Sequence, residues 1–315
     1  MSHPPTPLRI RDLRKRYDDV IAVDGLDLEV LPGECFGLLG PNGAGKTTTI
    51  EICEGLTAPD SGEVELLGRH WGSNAQHLRE RLGIQLQETQ LAEKLSVHET
   101  LRLFRSFYAR GREVEDVIAL VQLEEKRQAR VGTLSGGQKQ RLALGCALVG
   151  DPELVFLDEP TTGLDPQARR QVWELVEQLK ATGRTILLTT HYMEEAERLC
   201  DRVAIVDHGK VIALGTPRQL IAGLGAEQIV FFAIEQEAGD RFGDDVRQTI
   251  TDAVGRAPRA TDSGWELGVD APHVAIPALL SALKTHDMPL SELRTHSPTL
   301  EDVFVSLTGR ALRDA

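Results

Sequence analysis

The sequence predicts an α/β fold with a parallel-sheet core. To this core are added an antiparallel β subdomain, a helical subdomain and a small C-terminal α+β domain. Short, continuously apolar runs at 35–39, 154–157 and 185–189 are separated by helical patterns. Such runs are typical of parallel strands that helices cover on both faces. The composition also changes near residue 220, which indicates where the C-terminal domain begins.

Length and composition fit this organisation. A chain of 315 residues is long enough for two domains, predicted at 1–220 and 221–315. Its 41% hydrophobic and 26% charged residues are ordinary for a folded soluble protein. The net charge of −13 argues against nucleic-acid binding, because a binder must neutralise phosphates. We therefore expect no nucleic-acid partner.

Cysteine usage and hydropathy indicate the compartment. The four cysteines are scattered and form no CxxC pair, so we expect buried free thiols rather than a zinc or redox site. No apolar run reaches the roughly 18–20 residues that span a bilayer, and no apolar segment follows Met1. We expect a cytoplasmic chain without a signal peptide, which needs a partner if it works at a membrane.

The N-terminal elements follow from period-two patterns. Residues 8–35 alternate apolar and polar positions, which predicts antiparallel strands. The apolar run 35–39 predicts a buried strand that feeds a glycine-rich stretch, with a helix beginning near Thr47. Residues 60–70 follow a Pro-Asp-Ser-Gly turn and predict a further strand pair.

The middle of the chain predicts a helical subdomain and then more of the parallel sheet. From about 88 to 150 the pattern is helical, with one apolar face carrying Leu101, Phe104, Phe107 and Tyr108. A helix is predicted from about 166 to 182, between two buried strands. A hairpin is predicted at 203–214 around His208-Gly209.

The C-terminal domain ends in a well-marked helix. Before it, aromatic and β-branched runs at 229–234 and 265–269 predict strands. Ser297 is the predicted cap of the helix, and Pro298 suits its first turn. Its predicted apolar stripe consists of Leu300, Val303, Phe304 and Leu307.

The strongest local pattern is GPNGAGKTT at Gly40–Thr48. It matches GxxxxGK[ST] between a strand and a helix, which predicts a P-loop NTPase core of the RecA-like type. Backbone N–H groups of such a loop point at phosphate oxygens, the lysine reaches the β- and γ-phosphates, and the first threonine ligates Mg²⁺. The predicted ATP contacts are Asn42, Gly43, Gly45, Lys46, Thr47 and Thr48.

A second chemical pattern is LVFLDEP at Leu154–Pro160, where an apolar strand ends in two carboxylates. Asp158 at a buried strand end suits Mg²⁺, directly or through water. Glu159 suits a base that polarises the attacking water. Acidic pairs at strand ends are often merely solvated, and the neighbouring P-loop favours the catalytic interpretation.

LSGGQ at Leu134–Gln138 resembles the signature of ABC ATPases. The order of GPNGAGKTT, a glutamine-bearing loop, LSGGQ, LVFLDEP, GLDP and a strand-ending histidine is the order of that family. The resemblance covers roughly residues 8–220. It implies a head-to-tail homodimer in which two chains sandwich two ATP molecules, so that hydrolysis requires dimer closure.

The resemblance also assigns roles to single residues. Ser135, Gly137 and Gln138 contact the ATP held by the opposite subunit. The remaining assignments are a γ-phosphate contact at His191, a loop residue crossing the dimer interface at Asp165, and an aromatic that stacks on adenine at Tyr17.

Two glutamines are candidates for a contact to Mg²⁺ and the attacking water. The stretch IQLQE offers Gln85 and Gln87, and the residues around them align best with Gln87 as the contact to Mg²⁺ and water. The resemblance thus implies a Mg²⁺ set of Thr47, Gln87 and Asp158, and a catalytic set of Glu159, His191, Gln87 and Lys46. The same loop senses a transmembrane partner in the family, and the helices after it form the docking surface.

The last residues of the sequence indicate which kind of ABC ATPase the chain resembles. Ser297–Arg310, together with Thr161–Arg170, resembles ATPases of drug and antibiotic exporters of the daunorubicin-resistance type. This implies a subunit bound to a separate permease at the cytoplasmic face of the membrane, driving efflux of a drug-like or other hydrophobic substrate. Export of lipid, polysaccharide or peptide is an open alternative, and so is an importer ATPase.

The alternative of a different class is a soluble ABC ATPase acting on nucleic acid or ribosomes. DNA-repair relatives insert long coiled coils or zinc modules between the motifs, and translation-linked relatives usually carry two cassettes. This chain has one cassette, with only about 88 residues between Lys46 and Leu134.

Overall fold

The computed structural model describes residues 6–86, 90–235, 242–261 and 263–308. It divides the chain into two units, Met1–Pro217 and Arg218–Ala315. Helix α8 (Pro217–Ala222) spans the division between them. Each unit has its own sheets and helices.

The strands of the first unit are β1 (Leu8–Tyr17), β2 (Val20–Val30), β3 (Cys35–Leu39), β4 (Ser61–Leu66), β5 (Leu82–Gln85), β6 (Leu154–Asp158), β7 (Thr185–Thr190), β8 (Arg202–Asp207) and β9 (Lys210–Gly215). Its helices before α8 are α1 (Lys46–Cys53), α2 (Ala75–Arg79), α3 (Val97–Arg105), α4 (Val114–Leu120), α5 (Gly136–Leu148), α6 (Pro166–Ala181) and α7 (Met193–Leu199). Short 3₁₀ turns lie at Glu124–Lys126 and Val131–Thr133.

The central sheet has the order β5-β6-β7-β3-β8-β9. Its first five strands are parallel, and β9 returns antiparallel to β8 as the predicted hairpin. Strands β3 and β6 are buried along their whole length, which explains their uninterrupted apolar sequences. The carboxyl ends of parallel strands meet at one sheet edge, so the segments after β3, β5, β6 and β7 come together there.

The predicted antiparallel subdomain is the three-stranded sheet β2-β1-β4. Its apolar face and one face of the central sheet share a single hydrophobic core, which contains Leu8, Leu26, Phe36 and Phe156. Burial of this shared face fixes the register of β1 and β2, because a slip by one residue would expose it.

Residues 60–70 form one strand rather than the predicted pair. After β4 the chain reverses at Leu67 and Gly68, whose φ angles are 51° and 75°. Only a single bridge, Leu66 to Arg69, follows the reversal. The chain then turns away, and the Trp71 indole donates to the Cys53 carbonyl at 2.9 Å. The turn itself suits a hairpin, but pairing ends after this one bridge because the chain leaves the sheet at Trp71.

The predicted continuous apolar face through Leu101, Phe104, Phe107 and Tyr108 is also wrong. Helix α3 begins with a capping box of Ser96 and Glu99 and ends at Arg105. The Ser106 hydroxyl donates to the Leu103 carbonyl at 2.6 Å where the helix stops. Helical spacing no longer applies beyond this point, and Phe107 is 68% exposed.

The elements of the second unit after α8 are β10 (Gln228–Ile234), α9 (Asp244–Val254), β11 (Arg259–Thr261), β12 (Gly264–Val269), α10 (Pro272–Thr285), β13 (Leu290–His296) and α11 (Leu300–Thr308). The sheet is antiparallel with the order β11-β12-β10-β13. The sequence of elements from β10 to β13 is β-α-β-β-α-β, a split βαβ topology. Helices α9 and α10 pack with Val230 and Phe232 of β10 in one core.

The cap of the last helix differs from the prediction. Thr299, not Ser297, makes the reciprocal bonds: its N–H donates to Asp302 Oδ2 at 2.7 Å, and its hydroxyl accepts from the Asp302 N–H at 3.4 Å. The Ser297 hydroxyl instead accepts from the Gln228 side chain at 3.4 Å. Leu307, predicted to be part of the apolar stripe, is 49% exposed.

Two expectations concern the chain as a whole. All four cysteines are free and buried. In the described ranges, no helix combines the length and the apolar character that crossing a bilayer requires.

Candidate active site

The candidate site lies at the carboxyl edge of the central sheet. Four neighbouring strands, in the order β5, β6, β7 and β3, lead respectively into the glutamine loop, the acidic pair, the histidine and the P-loop. Motifs that are more than 100 residues apart in sequence therefore follow adjacent strands.

Two P-loop glycines, Gly43 and Gly45, have positive φ angles in the left-handed region that favours glycine, and Gly45 is also closely packed. Gly45 has φ of 99°, and a Cβ there would lie 2.2 Å from the Ala22 carbonyl oxygen of β2. Gly43 has φ of 79° and nothing within 4 Å of a Cβ position, so the loop is open on that side. No side chain caps the N-terminus of α1, which leaves its first N–H groups available to an anion. Asn42 and Thr47 are exposed, and Thr48 is half-buried.

Lys46 is buried at the first position of α1. Its Nζ donates to the carbonyls of Gly40 at 2.8 Å and Pro41 at 3.0 Å. Burial lowers the pKa of Lys46, and the negative charges of Glu159 and Asp158 oppose this effect. The Lys46 ammonium therefore bonds the P-loop carbonyls and also interacts with the charges of the acidic pair.

Asp158 ends β6 and is 4% exposed. Its Oδ1 accepts a short hydrogen bond from the Thr189 hydroxyl of β7. Burial raises the pKa of Asp158, while the bond from Thr189 lowers it. A nearby cation would favour the charged form of this carboxylate.

Glu159 is held in an uncommon backbone conformation, with φ of 47°. Its N–H donates to the Thr189 hydroxyl at 2.9 Å, and the Thr162 hydroxyl donates to its Oε2 at 3.0 Å. His191 Nδ1 lies 3.2 Å from the same Oε2 but makes no hydrogen bond of good geometry. The structure thus places the predicted base and the predicted histidine side by side.

The glutamine positions differ in what the structure describes. Gln87 lies outside the described residues. Gln85 ends β5, is 1% exposed, and donates to the Leu86 carbonyl at 2.6 Å. Its Oε1 is buried without a hydrogen-bond partner.

Tyr17 stands at the end of β1, opposite Val20 of β2. Its side chain is 43% exposed, and Lys15 Nζ lies 5.3 Å from the ring centroid. The same hairpin carries Ala22, whose carbonyl contacts the P-loop at Gly45. An exposed aromatic face on this hairpin is suited to stacking on a base.

The LSGGQ segment begins α5. Ser135 is its N-cap: the hydroxyl accepts from the Gln138 N–H at 3.3 Å, and the Gln138 side chain accepts from the Ser135 N–H at 3.0 Å. A Cβ on Gly137 would lie 2.6 Å from Ala168 Cβ, so glycine permits the close approach of α6. The hydroxyl proton of Ser135 is not used in this capping box and can be donated to a ligand.

Asp165, the predicted interface residue, caps α6. Its carboxylate accepts from the N–H groups of Gln167 and Ala168, both at 2.9 Å. Pro166 follows it as the first residue of α6, and Ala168 in this first turn lies beside Gly137 of the signature.

Sequence reasoning missed several polar residues around the site. Thr189 bonds both acidic residues, and the only signal for it is the polar end of an apolar strand. Glu54 follows α1 and is 4% exposed, with both carboxylate oxygens buried and unpartnered. Burial, and then the charges of Asp158 and Glu51, raises the pKa of Glu54 to about 8. Nothing in the local pattern distinguishes Glu54 from a surface carboxylate.

The residues present fit a Mg–nucleotide. The open side of the loop at Gly43 and the uncapped α1 N-terminus suit phosphate oxygens. The Thr47 hydroxyl and the Asp158 carboxylate are hard oxygen donors of the kind that Mg²⁺ takes, together with phosphates and water.

Known proteins resemble this chain along most of its length. A family model described as ABC transporter matches residues 23–162. The chain is 44% identical to a protein of Burkholderia pseudomallei (strain K96243) named Nod factor export ATP-binding protein I, over 98% of this chain and 99% of that protein. It is 43% identical to a protein of the same name from Cupriavidus metallidurans (strain ATCC 43123 / DSM 2839 / NBRC 102507 / CH34), with the same coverage of both proteins. A solved structure described as an ATP binding subunit of an ABC transporter has a TM-score of 0.63 and 32% identity, over 70% of this chain and 94% of that chain.

Proposed function

The chain belongs to the ABC transporter family as an ATP-binding, ATP-hydrolysing subunit, and from that premise we propose that it drives export through a separately encoded permease. Two observations support the catalytic part. Glu159 Oε2 lies 3.2 Å from His191 Nδ1, and the electrostatic influence of Glu159 and Asp158 reaches the P-loop lysine. A base, a histidine and a phosphate-binding ammonium in one place are what ATP hydrolysis needs.

The chain's own groups divide the work of the reaction. The P-loop N–H groups and Lys46 bind the phosphates. The Glu159 carboxylate takes up the proton of the attacking water, while the Thr189 and Thr162 hydroxyls hold Glu159 in place. His191 contacts the γ-phosphate and orients the water. Catalysis here is positioning and electrostatic stabilisation rather than covalent chemistry.

We propose Mg²⁺ as the bound metal, held by Thr47, Asp158 and Gln87. When bound it would neutralise charge on the phosphates. Asp158 is prepared for this by its bond from Thr189, which keeps the carboxylate oriented.

We propose that the active unit is a head-to-tail homodimer. The signature helix α5 packs against β5, α3, α4 and α6 of its own chain. The P-loop, in contrast, is bordered by Ala22 of β2 and Val206 of β8. Since the two motifs belong to different parts of the fold, Ser135, Gly137 and Gln138 would complete the ATP site of a second copy.

The permease would dock at a groove beside β5, the strand that precedes the glutamine loop. This groove has a volume of about 460 Å³, and its lining includes Ile84 of β5, Phe104 of α3 and the exposed Phe107. Arg79 and Glu80 stand at its polar side. An apolar floor with both signs of charge at the rim suits a short amphipathic cytoplasmic helix of the permease.

We also propose which compounds the exporter carries. Both relatives are named for Nod factor export, which favours export over import. The ending at Ser297–Arg310 resembles that of drug-exporter ATPases. Nod factor and drug-like hydrophobic compounds are therefore the two cargoes to assay.

The variant Glu159→Gln tests the catalytic assignment. It keeps the shape of the side chain but removes the base, so we expect ATP binding to persist and turnover to fall at least about 100-fold. ATP should then trap a closed dimer, visible by size-exclusion chromatography.

Glu174→Gln, an exposed site on α6, is the matched control and should hydrolyse ATP at the wild-type rate. Wild-type turnover by Glu159→Gln would remove Glu159 from the role of base. Loss of ATP binding in the same variant would show instead that this carboxylate serves the binding step.

A further inference from the structure

One buried carboxylate near the site has no part in the mechanism above. Glu195 lies on α7 and is 0% exposed. Its Oε1 accepts a hydrogen bond from Trp173 Nε1 of α6 at 2.9 Å. A fully buried carboxylate costs stability compared with a well-packed apolar residue, so its presence calls for a reason beyond packing.

The first link leads to His191. The Thr190 hydroxyl accepts from the Tyr192 N–H at 2.9 Å, and these two residues flank the histidine. The same hydroxyl lies close enough to Glu195 to affect it: burial raises the pKa of Glu195, while the Thr190 hydroxyl and the Trp173 N–H lower it. The turn that presents His191 is thus connected through Thr190 to the buried carboxylate.

The second link leads to Glu159. Thr161 follows Glu159 by two residues, is fully buried, and also lowers the pKa of Glu195. In this structure, however, Thr161 Oγ1 and Glu195 Oε2 are both buried without a partner in hydrogen-bond geometry. A neighbouring donor and acceptor are each unsatisfied, which is costly, and a small shift of the loop 159–162 would pair them.

The third link leads to α6, the helix capped by Asp165. Trp173 of this helix bonds Glu195 directly. One helical turn after the cap, the Arg169 guanidinium lies 4.4 Å from the Tyr192 ring centroid. Three segments therefore converge on one carboxylate: the loop after Glu159, the turn at His191 and the helix that begins at the predicted dimer interface.

We propose that Glu195 is a positioning residue for ATP hydrolysis, whose buried carboxylate fixes the Glu159 loop and the His191 turn relative to each other and to α6. This inference rests on the proposed function, because it assumes that Glu159 and His191 act together on ATP. Glu195 touches neither water nor nucleotide in this role. It acts through Thr161, Thr190 and Trp173.

Two variants test the role. Glu195→Gln keeps the shape but replaces one of two acceptors by a donor. Trp173→Phe keeps the ring and removes only the N–H. We expect Glu195→Gln to lower kcat at least about 10-fold, with KM and ATP affinity changed less than about twofold, because misplacement of catalytic groups affects the chemical step. Trp173→Phe should lower kcat in the same direction by a smaller factor.

Glu194→Gln, at the exposed neighbouring position on α7, is the matched control and should leave kcat unchanged. A lowered Tm with wild-type kcat in both variants would mean that Glu195 only stabilises the core, and the inference would fall. ATP turnover by Glu159→Gln tests the proposed function independently of Glu195. If that variant still turns over ATP, the proposed base fails, whereas an inactive Glu159→Gln beside a fully active Glu195→Gln overturns the positioning role alone.

Discussion

At the scale of single residues, the site is a group of buried ionisable side chains whose charges shift one another's pKa values. Lys46, Asp158 and Glu159 are each less than 10% exposed and interact electrostatically. Glu54 adds a fourth ionisable group close enough to be affected by Asp158. The phosphates of a bound nucleotide would pair with Lys46, and a bound divalent cation would add positive charge beside the carboxylates.

Lys46→Ala should weaken ATP binding by about 10- to 100-fold, the range expected for loss of a hydrogen bond between charged groups. The reason is that the buried Nζ, which here donates to the Gly40 and Pro41 carbonyls, is a cation of the P-loop that a bound phosphate can pair with. Equilibrium binding of ATP measures the effect. The exposed Lys94→Ala serves as the control, and equal affinities in all three proteins would contradict a phosphate role for Lys46.

The raised pKa of Glu54 predicts how the free energy of unfolding depends on pH. This pKa is about 8 in the folded protein and near 4.5 when exposed, so between these values the folded state binds more protons than the unfolded state. Ionisation of Glu54 therefore lowers the free energy of unfolding as pH rises from 4.5 to 8, and this contribution is a few kcal/mol at most. Glu54→Gln, which mimics the protonated form, should match the wild type near pH 5 and exceed it in stability at pH 8.

Denaturant unfolding at several pH values checks this difference, with the exposed Glu63→Gln as the control. A Glu54→Gln variant whose stability follows the wild type in parallel across the whole range would show that Glu54 ionises normally.

At the scale of elements, the sequence predicts the central sheet well because its strands are apolar on both faces. β3, β6 and β7 are all buried along their length, and the turns that follow them carry the motifs. The sequence failed where one local contact ended an element. Helix α3 ends at Arg105, where the Ser106 hydroxyl bonds the Leu103 carbonyl. The chain after β4 leaves the sheet where Trp71 bonds the Cys53 carbonyl. Periodicity does not register such stops.

The candidate site also contains residues that the sequence predicts and residues that it does not. The motif residues proposed to bind or react can be named from the sequence, since their types and spacing carry the chemistry. The residues proposed to orient them cannot. Thr189 and Glu195 each join segments that are distant in sequence, and their bonds exist only once β6, β7 and α6 have come together.

The last helix offers a test of capping. Thr299→Ala should destabilise the C-terminal unit by about 1 kcal/mol, because it removes the hydroxyl that bonds the Asp302 N–H. Ser297→Ala should cost less, since Ser297 lies outside the capping box. Thermal unfolding of both variants measures the difference, and a larger loss for Ser297→Ala would restore the cap predicted from sequence.

At the scale of the whole molecule, the proposed account requires more than one copy. The P-loop, the acidic pair and the histidine gather at one edge of the central sheet, and the signature begins a helix packed elsewhere. The Ser135 and Gln138 side chains are already ordered by their own capping box. These groups are therefore already arranged before a second copy's nucleotide binds there.

The central claim, that two copies of this chain form one ATP-hydrolysing unit, is tested most directly by ATP turnover per chain measured against chain concentration. The account predicts that turnover per chain is low in dilute solution, rises with concentration as dimers form, and levels off when assembly is complete. Glu159→Gln measured beside it should stay inactive throughout. Turnover per chain that is constant over the whole range, down to concentrations where the protein is monomeric, would mean that one copy is a complete enzyme and would contradict the account.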